Sequence, residues 1–246
     1  MAGWPEEISI DAFRQAWTLE GEDFWRSVFD MHKDKMQVKN PRVAIVNLEK
    51  IFRATFHLAN SKGFQAMSLR DLSRESGISM GGLYAYIGSK NDLASVQRKT
   101  IEQVIGGLAS ADLEPVHCLR AMIYGEIYMT EVLHPWYYFC FMELKGLPRE
   151  QQQQTLDLEM RFEGFLIDTI RAGEASRQFS CEHPELLAAQ VTAQLQQWHL
   201  KPWKFKLLDV STQQYAQYIF ENLLLSLHYE SAESSSIDDA STILCS

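Results

Sequence analysis

Apolar residues recur along most of this chain at intervals of three and four, the spacing of an amphipathic helix, and two-residue alternation is absent. The pattern predicts an all-α protein. Short helices come first, near residues 9–18 and 22–37; in the second, Trp25, Val28 and Phe29 share a face. Asn40-Pro41 breaks that helix. A helix over 42–61 follows, with Val43, Val46, Ile51, Ala54 and Leu58 inward. Ser68 with Asp71 then fits a capping box. Leu69 and Leu72 make an apolar stripe, and Gly77 suits a left-handed helix exit. Ser79 caps a second short helix that carries Leu83 and Ile87 inward. Ser89 with Asp92 repeats the cap for a long helix over 89–108. Two helices of about two turns around a glycine turn form a helix-turn-helix, whose second helix lies in the DNA major groove. Further helices are expected over 115–133, 136–145, 149–172, 184–200 and 211–229. Breaks fall at Pro115, Pro135, Pro148, Gly173, Pro184 and Pro202.

Several spaced positions in this stretch agree with a known pattern: Gly63-Phe64, Ser68-Leu69, Glu75-Ser76-Gly77-Ile78-Ser79, Gly82-Leu83-Tyr84-Ala85-Tyr86, Ser89-Lys90 and Asp92-Leu93. Over roughly residues 42–100 they resemble the tetracycline-repressor (TetR-like) family of bacterial transcription regulators. The chain departs from that family at Gly82, where Thr is usual, at Ala59, where an aromatic is common, and at Ile87, where Phe is usual. Gly81-Gly82 is a costly pair inside a helix, roughly 1 kcal/mol each against Ala. The resemblance implies a three-helix DNA-binding domain and a C-terminal helical domain for ligand binding and dimerisation. Here an extra N-terminal helical extension precedes them. The expected divisions are residues 1–40 for the extension, 41–93 for the helix-turn-helix domain, 94–230 for the effector and dimerisation domain, and 231–246 for a Ser- and Asp-rich disordered tail.

The net charge of −9 argues at first against nucleic acid, but its distribution reverses the argument. Residues 39–105 hold ten Lys or Arg against five Asp or Glu, a local balance of +5 that leaves −14 elsewhere. Phosphate binding requires a local basic surface, not a basic whole. The four cysteines have no metal-like spacing and suit a reducing, cytoplasmic compartment. The N-terminus reads as no signal peptide, and no stretch approaches the roughly 20 apolar residues of a membrane span. Phosphate loops, nucleophile elbows and clustered His, Cys and acid ligands are absent, so neither an enzyme nor a cofactor or metal protein is expected. The alternative is a helical adaptor that does not bind DNA specifically, favoured by the acidic total charge and opposed by the basic segment.

Base reading falls to the start of the second short helix: Ser79, Met80, Gly81 and Gly82. These offer few donors, although Met80 can touch a thymine methyl. Tyr84 and Tyr86 can aim hydroxyls at phosphates. The helix beginning at Ser89 presents free amides and a positive dipole end, and Lys90 adds charge there. The resemblance gives Tyr84 and Lys90 that phosphate role. Ser68 and Arg70 are further candidates at the preceding helix start. The bland readings are a core aromatic for Tyr84 and a plain surface lysine for Lys90. The expected partner is double-stranded, near-palindromic operator DNA read by a homodimer.

Tyr124, Tyr128, Trp136, Phe139, Met142, Phe162, Phe165 and Leu166 are the candidate ligand-binding residues. Such soft and aromatic groups line small-molecule pockets, and the same set describes a filled core. The resemblance favours a cavity for a small effector, with His134, Glu126, Glu143 and Arg161 as possible polar contacts. Residues 196–203 look like a variant of the family with hydrophobic, acyl-type effectors. A small, apolar or amphipathic effector that releases a repressor from DNA is therefore expected. Ala188, Ala189, Val191, Thr192 and Leu195, with Ile219, Leu223, Leu224 and Leu227, resemble the helix pair that forms the family's four-helix dimer bundle.

Overall fold

The structure is a computed structural model that describes residues 8–108 and 113–229. The expected tail lies outside the described residues. Among those described there are helices and no strands. The extension forms α1 (Ile10–Ala16), α2 (Gly21–His32) and a 3-10 turn at Lys33–Lys35. Next come α3 (Pro41–Lys62), α4 (Leu69–Ser76), α5 (Met80–Tyr84) and α6 (Lys90–Leu108). The C-terminal half holds α7 (Pro115–Val132), α8 (His134–Met142), a 3-10 turn at Leu144–Gly146, α9 (Arg149–Ala175), α10 (Pro184–Leu200), α11 (Pro202–Leu207) and α12 (Thr212–Ser226). The short α11 was not anticipated as a separate helix.

Local chemistry explains these boundaries. Pro41, Pro115, Pro184 and Pro202 each open a helix, where the missing amide hydrogen costs nothing. The Asn40 side chain accepts from the Arg42 amide, and Ser211 with Gln214 makes a full capping box. At the end of α9 the chain turns back on itself, and a Cβ on Gly173 would stand 1.9 Å from the Phe179 ring. Only glycine fits beneath that ring.

The inward face of α3 differs from the expected one. Ile51, Ala54 and Leu58 are buried as expected, but Val43 and Val46 are exposed, and Ala44, Ile45, Leu48, Phe52 and Thr55 are buried as well. The cause is α2, which packs along α3 and moves the buried stripe toward itself. Spacing alone could not reveal where the extension docks.

That docking is aromatic and lies within one protomer. The Trp136 ring of α8 stacks on Phe52 of α3 at 4.7 Å between centroids, and Phe56 meets it edge-on at 5.4 Å. From α2, Phe24 and Trp25 reach the same ring at 5.4 and 5.7 Å. Phe13 of α1 lies 5.6 Å from Tyr128 of α7. One extension thus touches both halves of the molecule. It also reaches the helix-turn-helix, because the Gln37 amide donates to the Ala85 carbonyl at 2.8 Å.

The expected dimer faces need a correction as well. Ala188, Val191, Thr192, Leu195, Ile219, Leu223 and Leu227 are buried inside the protomer, where α7 and α9 cover α10, and α7 covers α12. Of the expected set Ala189 is exposed and Leu224 half-buried, and the large apolar residues these helices leave outward are Leu186, Tyr218 and Leu225, at 68%, 63% and 74% exposure.

Trp136→Ala is expected to cost about 3–5 kcal/mol, the range for deleting a large buried aromatic. Denaturant unfolding followed by circular dichroism measures this, and a loss below about 1 kcal/mol would contradict the packing described.

Candidate nucleic-acid interface and effector cavity

The helix-turn-helix is built by short-range hydrogen bonds. Ser68 Oγ accepts from the Asp71 amide, and the Asp71 carboxylate accepts from the Ser68 amide at 3.0 Å. Lys62 pairs with the same carboxylate at 2.6 Å and Arg74 at 2.8 Å. The Lys62 bond first, and then the Ser68 bonds, hold the Asp71 carboxyl well below the usual carboxylate range. Gly77 takes the left-handed conformation, with φ 70°. Ser73 Oγ donates to the Ile78 carbonyl at 2.6 Å, which fixes the turn. Ser79 Oγ accepts from the Gly82 amide at 3.1 Å and starts α5. A Cβ on Gly81 would meet open space, whereas one on Gly82 would sit 2.9 Å from Ile78 Cγ2. Glycine at 82 therefore matches a tight turn below it.

Of the residues singled out for DNA, Ser68, Arg70, Ser79, Gly81, Tyr84 and Ser89 are exposed, and Met80 and Gly82 are half-buried. Tyr84 is 50% exposed, so it is not a core aromatic. Two residues behave otherwise than expected. Tyr86 is buried; its hydroxyl accepts from Asn47 Nδ2 at 3.0 Å and donates to the Val43 carbonyl at 3.4 Å. It ties α3 to the end of α5 and has no hydroxyl left to offer a phosphate. Lys90 turns inward. Its ammonium donates to the carbonyls of Phe64, Gln65 and Met67 at 3.1, 2.7 and 3.3 Å and lies over the Phe64 ring at 5.4 Å. Three carbonyls at the end of the α3–α4 loop satisfy this cation better than open solvent would. The start of α6 is also partly capped, since the Asp92 carboxylate accepts from the Gly88 and Ser89 amides at 2.8 and 3.0 Å.

Lys39 and Arg42 went unremarked as individuals in the sequence. Both are exposed at the entrance to α3, beside α5 through the Gln37–Ala85 and Tyr86–Val43 bonds. Only their share in the local charge balance pointed to them.

The eight candidate ligand residues do not form one site. Tyr128, Trp136 and Leu166 are core, and Phe165 is partly buried against it. Tyr124 borders a surface hollow with Arg120 and Phe220, and Phe139 and Met142 border a groove against α3. Phe162 alone of the eight lines the partly open cavity between α6, α7, α8, α9 and α10, whose free volume in this structure is about 40 Å³. The apolar wall is Ile101, Cys140, Phe141, Leu158, Phe162 and Leu195; Glu126, Tyr137, Glu159, Thr192 and Gln196 supply polar atoms. Glu126 lies deep between helices, and burial pushes its carboxyl up to about 7. The Tyr137 hydroxyl donates to Glu126 Oε2 at a long 3.4 Å. Composition identified a region rich in aromatics; the crossing of five helices decided which faces stayed unfilled.

Residues 51–95 match the profile of the family described as bacterial regulatory proteins, tetR family. Over those residues the chain carries a TetR-like helix-turn-helix domain. It is 25% identical over 195 residues to the HTH-type transcriptional regulator HbdR of Aromatoleum sp. (strain CIB), spanning 78% of this chain and 83% of the relative. A tetR-family regulatory protein from Rhodococcus RHA1 superposes with a TM-score of 0.64 at 15% identity, covering 75% of this chain and 98% of the other. AibR, solved with isovaleryl coenzyme A and operator DNA, gives 0.59 at 16% identity, with 75% and 100% covered. The solved structures establish the fold, and the matches are to DNA-binding regulators rather than enzymes. Among the described residues of this TetR-like chain no helix is long and apolar enough to cross a membrane, and no group of three His, Cys, Asp or Glu is placed to hold a metal ion.

The two cations at the helix-turn-helix should separate by role. Arg70→Ala is expected to flatten the salt dependence of DNA binding by about one unit per protomer contact. Lys90→Met should instead leave that slope unchanged and destabilise the fold by roughly 1–3 kcal/mol, because three carbonyls lose a charged donor. Gel-shift titrations across salt, paired with thermal melts, read both effects.

Proposed function

We propose that this TetR-like regulator is a cytoplasmic homodimeric repressor, released from near-palindromic operator DNA by a small, largely apolar effector. The DNA face would comprise Ser68, Arg70, Ser79, Met80, Gly81, Gly82 and Tyr84, with phosphates held at its edge by Lys39 and Arg42. The observation that carries the reading is the position of α6. Ile101 of α6 forms part of the cavity wall, and Lys90 at its start is bonded to the loop that leads into α4. A ligand that displaces Ile101 moves α6, and with it the setting of the helix-turn-helix. In a dimer that shift changes the spacing of two recognition helices, which a rigid operator does not tolerate.

An acyl thioester is the effector class supported by the relatives, since AibR was solved with isovaleryl coenzyme A and operator DNA. A non-DNA-binding adaptor is disfavoured by the exposed cations Arg70 at the start of α4 and Lys39 and Arg42 at the start of α3. Dimerisation would use the outward stripe of α10 and α12 around Leu186, Tyr218 and Leu225.

Two measurements test the proposal. Genomic fragments selected for binding should yield a near-palindromic site, and calorimetry should find effector binding weakened by operator by the same factor, worth about 1–3 kcal/mol, as operator binding is weakened by effector. Identical effector affinity with and without operator would remove the cavity from the switch. Leu225→Asp should give monomers by light scattering and weaken operator binding, whereas a wild-type monomer at micromolar concentration would refute the dimer.

A further inference from the structure

We propose that the cavity selects a ligand whose buried end carries hydrogen-bond donors, a hydroxyl or an amine, and no negative charge. The inference rests on reading this cavity as the effector site. Its two carboxylates are short of donors. The Glu126 carboxylate has one long bond, from the Tyr137 hydroxyl at 3.4 Å, and Glu159 accepts from Gln196 Nε2 at 2.9 Å. Two carboxylates offer about eight lone-pair sites between them, so most stay open. Thr192 faces the same space with 5% exposure, and its Oγ1 has no partner. That orphaned hydroxyl can accept a bond from a donor on the ligand as well as donate one.

No Lys, Arg or His stands among the lining residues. Arg98 and Arg161, on the helices beside the cavity, both bond Glu102, at 3.2 and 2.6 Å. A carboxylate pushed inside would therefore meet the charge of Glu159 and the lone pairs of Glu126, with no cation in the lining itself. A donor would meet open lone pairs, with Phe162, Leu158 and Leu195 packing its apolar body. Burial already raises the Glu126 carboxyl to about 7, and a donor or cation beside it would favour its charged form. For thioester effectors, the prediction is an acyl end that bears a hydroxyl or amine; a free fatty acid entering head-first is excluded.

The test is calorimetry of the full chain with three probes of equal length: octylamine, 1-octanol and octanoate. Octylamine and 1-octanol should each bind at least about tenfold more tightly than octanoate. Glu126→Gln should bring octylamine to within about threefold of octanoate, with the fold checked by circular dichroism. If that variant does not fold, the wild-type ranking alone decides. Octanoate binding as tightly as the other two would overturn the inference and leave the effector reading standing. So would a folded Glu126→Gln protein that keeps its preference for octylamine. Failure of all three probes to bind at millimolar concentration would overturn the effector reading, and the inference with it.

Discussion

The rest of the structure depends on the packing around the indole of Trp136. Stacked on Phe52, edged by Phe24 and Phe56 and flanked by Trp25, this ring is touched by helices from the extension, the DNA-binding half and the effector half. Buried aromatic pairs contribute about 0.5–1.5 kcal/mol each beyond their area. A junction with four such neighbours therefore resists independent motion of any one of its helices. The extension is in this sense a strap. It is pinned by Phe13 on Tyr128 at one end and by the Gln37 bond to Ala85 at the other. A change in the effector half has few ways to escape being felt at α5.

Under the proposed function, α6 would link the cavity to the DNA face. α6 contributes Ile101 to the cavity wall, and the Gln97 side chain in the same helix donates to the Trp136 carbonyl. At its other end Lys90 grips three carbonyls of the α3–α4 loop. Cavity, aromatic junction and helix-turn-helix thus share one helix. The role first expected of Lys90, a phosphate contact, is replaced by one that suits a transmitter: it locks α6 to the base of the domain it would reposition.

What the sequence made legible was local. Capping boxes, the left-handed Gly77 and the proline starts marked the helices because each depends on neighbours within four residues. The family likeness rested on that same local grammar. What stayed hidden was set by distant packing. The inward face of α3 turns toward α2, so Val43 and Val46 point out and Ala44 and Ile45 point in. Tyr86 and Lys90 have partners 39 and 26 residues away, beyond the reach of any spacing rule. The cavity was misplaced for a related reason. Aromatic richness marks a core and a pocket alike, and Tyr128, Trp136 and Leu166 are core because other helices fill the space beside them. Of the four polar contacts expected from the sequence, only Glu126, a carboxyl in an apolar run, lines the cavity.

The central claim is that extension, DNA-binding half and effector half are held as one unit by the Trp136 junction. Native-state hydrogen exchange across a denaturant series tests it most directly. The account predicts that amides over residues 24–29, 52–56 and 137–140 lose protection through one shared opening, at a common free energy and with a common denaturant dependence. Exchange of residues 24–29 through a separate opening, several kcal/mol below that of α3, would contradict it.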